Sequence, residues 1–190
     1  MSKNKADKWI KEVFKQSTYI IVDTREKANQ HLIKAFNDYG VKYKVDKVNY
    51  GDYAIQIEKN EDLGIEETVR LNFTVERKQH LEELGTNLST HKERFEREMQ
   101  RCVDNDGYMI IVIEKGNYLE IILNKFKNKI TPKQYLALLH TIYARYKVPF
   151  IFVDKSASSL FIYNVLKYAA KEYLKDIYEN NDLDKSAILK

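Results

Sequence analysis

Two carboxylates and a lysine stand out because of where the chain puts them. Glu76-Arg77-Lys78 closes Val69 to Val75, a Val-Arg-Leu-Asn-Phe-Thr-Val stretch whose alternation predicts a half-buried strand. Side chains change faces at each step along a strand, so Glu76 and Lys78 share one face and Arg77 takes the other. Asp52 follows the turn at Tyr50-Gly51 and precedes a second strand-like stretch, Tyr53 to Ile57, which would bring it beside that pair. Carboxylate oxygens are hard ligands that suit Mg²⁺ or Mn²⁺. Such an ion lowers the pKa of a bound water and neutralises charge on a transferring phosphate. A lysine beside it orients the water or stabilises the developing charge. Hydrolysis of a phosphodiester needs these parts and little else. Taken alone, a carboxylate and a lysine two apart on a strand describe an ordinary surface ion pair equally well, and the spacing does not separate the two.

The elements that must position these residues are legible from local pattern. Tyr19-Ile20-Ile21-Val22 is a continuous apolar run, as expected of a strand buried on both faces. Asp23 or Thr24 is placed to cap a following helix that buries Leu32, Ala35, Phe36 and Tyr39 and stops at Gly40. Val41 to Val48 and Tyr53 to Ile57 read as strands, and the acidic segment Glu58 to Thr68 as an exposed hairpin loop. After Lys78 a helix is expected from about Gln79, interrupted near Gly85 and resuming from Ser89 or Thr90 through Cys102. Tyr108 to Ile113 is a further buried strand, closed by Glu114-Lys115-Gly116-Asn117. Thr131-Pro132 starts a helix that runs to about Tyr146, with Thr as cap and Pro at the first helical position. Phe150 to Val153 is the last strand. Ser156 to about Tyr178 is the last helix, with Leu160, Phe161, Val165, Leu166, Tyr168, Ala169, Tyr173, Leu174 and Ile177 at helical spacing. Interleaved strands and helices predict one α/β domain around a mixed sheet.

Composition narrows the function without naming it. A chain of 190 residues suits one domain with a real core, and a formal net charge of +4 permits nucleic-acid binding without demanding it. The single cysteine, Cys102, rules out an internal disulfide and points to a reducing, cytoplasmic setting. His31, His80, His91 and His140 are scattered and lack cysteine companions, which argues against structural zinc. No apolar run is long enough to span a bilayer, so no membrane partner is expected.

Three ordered motifs sharpen the reading. Val22-Asp23-Thr24-Arg25-Glu26, then Gly51-Asp52-Tyr53, then Val75-Glu76-Arg77-Lys78 resemble the V-D-x-R-E, G-D-Y/F and V-E-R-K-x-x-x-D pattern of the XPF/Hef-type structure-specific nucleases. The resemblance covers roughly Tyr19 to Tyr173 and implies the restriction-endonuclease-like fold, a mixed central sheet flanked by helices. It implies a metal-dependent endonuclease of DNA, acting at branched or junction DNA in recombination, replication or repair. Nuclease action on simple duplex or single strands, and a DNA-binding scaffold without turnover, stand as alternatives.

By the same resemblance Asp52 and Glu76 are the principal ligands of Mg²⁺ or Mn²⁺, the backbone carbonyl of Arg77 completes the protein ligands, and Lys78 is the catalytic lysine. Asp23 matches the first acidic position and would bind the metal directly or through water. Arg25 and Glu26 either form a supporting salt bridge or contact phosphate. The family's aspartate four residues after the lysine is Glu82 here, either an outer ligand or a solvated helix residue. Arg94, followed by Phe95, matches a recurrent Arg-Phe, whereas Arg97 and Arg101 fit ion pairs on a wet helix face. The expected organisation is a basic extension or short helix over 1–18, a nuclease domain over 19–178 and a polar tail over 179–190. It resembles compact stand-alone versions without a helix-hairpin-helix module, for which a homodimer through the C-terminal helices is one route to branch recognition.

Overall fold

The structure, a computed structural model, describes residues 3–180. The expected polar tail therefore lies, from residue 181 on, outside the described residues. The elements run α1 (Lys3–Ser17), β1 (Thr18–Asp23), α2 (Gln30–Asp38), β2 (Tyr43–Asp46), β3 (Tyr53–Ile57), β4 (Val69–Lys78), α3 (Leu81–Leu88), α4 (Lys92–Asp104), β5 (Tyr108–Ile113), α5 (Tyr118–Ile122), α6 (Pro132–Tyr146), β6 (Phe150–Phe152) and α7 (Lys155–Asn180). The six strands form one sheet in the order β2-β1-β3-β4-β5-β6. β3 is antiparallel to both β1 and β4, while β1–β2, β4–β5 and β5–β6 are parallel. This is the mixed sheet flanked by helices that the alternation of elements predicted.

Strand β5 explains how the layers assemble. Met109 to Ile113 are all buried, and successive residues enter different cores. Ile110 and Val112 join α1, α2 and α7 through Trp9, Val13, Leu32, Phe36, Ile162 and Leu166. Met109, Ile111 and Ile113 join α3, α4 and α6 through Leu84, Leu88, Phe95, Met99, Tyr135 and Leu139. Because Glu76 pairs in register with Ile111 and Lys78 with Ile113, both lie on the α3/α4 side. Arg77, in register with Val112, lies on the α2/α7 side.

Several local readings are corrected by packing. The N-terminal segment, expected as a basic extension or short helix, is a 15-residue helix that buries Trp9, Ile10 and Val13. The segment after β3 is no free hairpin loop: a single 3₁₀ turn, Glu61–Leu63, sinks Leu63 into the core, and Trp9 Nε1 donates to its carbonyl at 2.9 Å. Helix α2 starts at Gln30, since the Asp23 carboxylate is engaged elsewhere. Tyr39 is exposed rather than buried. A Schellman turn ends α2, with Val41 N–H bonded to Phe36 O (2.8 Å) and Gly40 N–H to Asn37 O (3.1 Å), so Val41 packs where Tyr39 was expected. Gly85 does not interrupt α3; a Cβ there would lie 2.5 Å from Asn128 Nδ2, and the glycine lets the helix approach that loop. The break falls at Ser89 to His91 instead. α5 was not anticipated. Thr131 and Gln134 form a full capping box on α6, with Pro132 at its start. No helix among the described residues is long and apolar enough to cross a membrane.

Cys102 lies on the buried face of α4, and burial pushes its thiol up to about 11. A thiolate is the reactive form. The native protein should therefore stay unreactive toward a disulfide reagent at pH 8 and release one equivalent of thiol on denaturation; rapid labelling of the native state would contradict this packing.

Candidate active site

Asp52 is held at a crossing of three strands. Its N–H donates to Val75 O (2.8 Å), its carbonyl accepts from Asp23 N–H (2.8 Å), and its Oδ2 accepts from Arg77 N–H (2.7 Å). The chain reaches this point through Gly51, whose φ of +77° and approach to Thr74 disfavour a side chain: a Cβ would lie 3.0 Å from Thr74 Oγ1. The last residues of β4 stand alongside. Glu76 and Lys78 are buried and form an ion pair with each other. Glu83 Oε1 from α3 lies 3.8 Å from Lys78 Nζ, and the Phe95 ring from α4 lies 5.2 Å from the same ammonium. Asp52, Glu76 and Lys78 thus meet on the wall of one cleft of about 240 Å³.

Charge inside the cleft is unevenly balanced. Burial and the adjacent Glu76 carboxylate push the Asp52 carboxyl well above its usual range. Burial and Glu76 also raise Glu98, whose Oε1 accepts from Gly51 N–H at 3.1 Å. Burial alone would lower the Lys78 ammonium, yet Glu76 and Asp52 outweigh it and hold the lysine charged. Lys78 therefore sits among the acidic side chains of Asp52, Glu76, Glu83 and Glu98, with Glu26, Arg25 and Arg94 also on the cleft wall. No three His, Cys, Asp or Glu side chains among the described residues form a preassembled metal cage. The donor chemistry nevertheless fits Mg²⁺ or Mn²⁺, because such ions use one or two carboxylates and complete their shell with water and phosphate. Asp52 and Glu76 are the pair that could hold one, and their mutual repulsion is what a cation would relieve.

Arg77 works from the opposite face of β4. Its guanidinium, with the side chain 1% exposed, donates to Glu114 (2.7 Å), Glu26 (2.7 Å) and Ala28 O (2.9 Å). Glu114 is held further by Ser158 Oγ (2.7 Å) and His31 Nε2 (2.6 Å). Glu26 also reaches the cleft wall, so a single salt bridge ties the front of the site to its back.

The structure separates the remaining expected residues. Asp23 does not line the cleft: its oxygens accept from Arg25 N–H (2.8 Å), Arg25 Nε (2.6 Å) and Val48 N–H (2.7 Å), which anchor it beside Arg25. Arg25, fixed by that anchor, lines the cleft and feels the charge of Glu98 and Asp52. Arg94 lines it too, beside Phe95. Glu82 points away, with Oε1 accepting from Lys127 N–H (3.1 Å) and Oε2 3.2 Å from His80 Nδ1. With His80 capping α3 and Leu81 buried, the carboxylate turned toward Lys78 is Glu83. Arg97 meets Glu93 at 3.9 Å on the wet face of α4. Glu83, Glu98, Asn87 and His91 were not anticipated as lining residues. A signal for Glu98 existed: it sits at helical spacing from Phe95 and Cys102 on the buried stripe of α4, an unusual place for an acid.

The family model described as the ERCC4 domain matches residues 22–165, a span that takes in Asp23, Asp52, Glu76, Lys78 and Arg94. The chain belongs to the ERCC4 domain family. Among solved structures it is similar to XPF from Aeropyrum pernix, with a TM-score of 0.54 at 15% identity over 80% of this chain and 61% of that one. It is likewise similar to XPF from Aeropyrum pernix in complex with DNA, with a TM-score of 0.54 at 14% identity over 81% of this chain and 66% of that one. The ERCC4 domain here thus spans a little under two thirds of each matched structure. No curated protein matches the sequence. At such low identity the likeness establishes the fold, and it agrees with the XPF/Hef resemblance carried by the three motifs.

Two consequences follow for stability. Removing Arg77 strands Glu114 and Glu26 as uncompensated charges, so Arg77→Leu should cost about 3–5 kcal/mol in chemical denaturation; a loss under about 1 kcal/mol would contradict the buried network. Burial would raise the Asp23 carboxyl, but the Arg25 and Val48 hydrogen bonds outweigh it and hold it below its ordinary 3.8. That contribution is present above the unfolded value and lost as pH falls through the folded one. Asp23→Asn should therefore be less stable than the wild type at neutral pH, with the gap closing below about pH 4. A gap that stays constant across urea midpoints from neutral to acid pH would refute it.

Proposed function

We propose that this ERCC4 domain is a metal-dependent DNA endonuclease that acts inside the cell on branched or junction DNA during recombination, replication or repair. The observation that carries the reading is the gathering of Asp52, Glu76 and Lys78 on one cleft wall, with Arg25 and Arg94 beside them. Asp52 and Glu76 would hold Mg²⁺ or Mn²⁺, and when bound the ion supplies an activated water and offsets charge on the scissile phosphate. Lys78 keeps its proton and is steered by Glu76, so its ammonium faces the position where negative charge develops on a phosphate oxygen. Arg25 and Arg94 draw the flanking phosphates toward the cleft. Glu98 braces the Gly51–Asp52 turn through the Gly51 N–H. Exposed Leu160 and Tyr168 on α7 support a homodimer through the C-terminal helix as the assembly that would span two arms of a junction.

Glu76→Gln and Lys78→Ala should each lower cutting by about 10²–10³-fold. Binding to the same DNA in EDTA should change only slightly. Forks, flaps, four-way junctions and linear duplexes, tested with and without Mg²⁺ or Mn²⁺, should give metal-dependent incision concentrated at branch points. Equal cutting of linear duplex would favour a simple nuclease, and cutting that survives both substitutions would remove the assigned site.

A further inference from the structure

A second surface rises from the same end of the sheet as the cleft. Lys78 and Ile113 end β4 and β5 in register, and the chain leaving Ile113 forms α5 after four intervening residues. Helix α5 presents Leu119, Ile122 and Leu123 to solvent at 59%, 49% and 52% exposure. Their i, i+3, i+4 spacing places them on one stripe. A five-residue helix has no stability of its own, and this one is pinned at each end. Asn117 Oδ1 accepts from Glu120 N–H (3.0 Å), Ile121 is wholly buried, and Asn124 (φ +54°) ends the helix in a Schellman turn with Lys125 N–H on Glu120 O (2.8 Å). The fold holds three large aliphatic side chains out in water on a rigid mount.

The loop that follows carries exposed Lys125, Lys127 and Lys129, of which Lys127 also feels the Glu82 carboxylate. It is fastened to the rim of the cleft by Glu82: Lys127 N–H donates to Glu82 Oε1 (3.1 Å), and Asn128 Nδ2 to Glu82 O (2.8 Å). The next residue, Glu83, lines the cleft. Exposed lysines flanking an aliphatic stripe complement a polyanion that also offers apolar faces. A duplex hides its base faces and an opened junction exposes them; aliphatic wedges against unstacked bases are a known way to hold such an opening.

We propose that α5 and the 123–130 loop form a strand-opening platform, with Leu119, Ile122 and Leu123 against unpaired bases and Lys125, Lys127 and Lys129 on the adjoining phosphates. The proposal deepens the nuclease reading and rests on it for the identity of the ligand. It assigns Glu82 the part of positioning the platform beside the cleft.

The test uses the full chain in EDTA, with a splayed fork and a linear duplex of equal length carrying 2-aminopurine at the branch position. Two triple variants are compared, Leu119→Ser/Ile122→Ser/Leu123→Ser and Lys125→Ala/Lys127→Ala/Lys129→Ala; all six positions are exposed, and melting curves check folding. The wild type should prefer the fork and brighten the 2-aminopurine. The aliphatic variant should lose about tenfold of that preference, equivalent to about 1.4 kcal/mol, together with the brightening. The lysine variant should bind both DNAs more weakly, with the slope of log affinity against log salt reduced by about two to three. An aliphatic variant that keeps fork preference and brightening overturns the proposal. So does one whose only change is loss of a dimer in light scattering, or loss of binding to phosphatidylserine vesicles. Wild-type protein that cuts no DNA with Mg²⁺ or Mn²⁺ but shows variant-sensitive fork preference sinks the nuclease reading alone. Junction cutting with an unaltered fork preference in the aliphatic variant sinks the platform alone.

Discussion

Arg77 is the constraint on which the site depends. A strand that ends in Glu-Arg-Lys must bury three charges on two faces, and burial of unpaired charge costs far more than any single contact returns. The guanidinium resolves one face by bridging Glu26 and Glu114, and His31 and Ser158 complete the shell around Glu114. Its backbone N–H meanwhile holds the Asp52 carboxylate on the other side of the strand. One residue therefore sets the height of β4 against α2 and α7 and aims the acid that faces the cleft.

With that strand fixed, the cleft is an electrostatic problem left open by design of the fold. Lys78 offers one positive charge against Asp52, Glu76, Glu83 and Glu98, and burial keeps water from screening the difference. Burial and the neighbouring Glu76 carboxylate push the Asp52 and Glu98 carboxyls up, a repulsion that a bound cation would relieve. Arg25 lines the same cleft but is paired with Asp23, and the pair forms a prop at the end of β1. The same economy governs Glu82, whose carboxylate is spent on the 123–130 loop, so that the neighbouring Glu83 turns to Lys78.

Periodicity and caps are local, and what depends on them was legible in the sequence. The order of strands and helices apart from α5, the face shared by Glu76 and Lys78, the Thr131-Pro132 helix start and the three motifs of the family all follow from residues within a few positions of one another. Where the reading missed, a distant contact decided. Gly85 stays helical because Asn128 crosses it, and Leu63 is buried because Trp9 reaches its carbonyl. Tyr39 is left in solvent because Val41 closes the turn over Phe36.

The sequence by itself determined the fold class and the family, since each is written in short-range pattern and ordered motifs; the same motifs named Asp52, Glu76 and Lys78, which the fold brings onto one cleft wall. Only the tertiary structure decided which other charges join them. Asp23 and Glu82 carry the right chemistry, and the fold turns their carboxylates onto backbone N–H groups of Val48 and Lys127, which lie far along the chain. Glu98 enters because α4 crosses the Gly51 turn, and a helix crossing is set by packing of whole faces, which no short window of residues encodes.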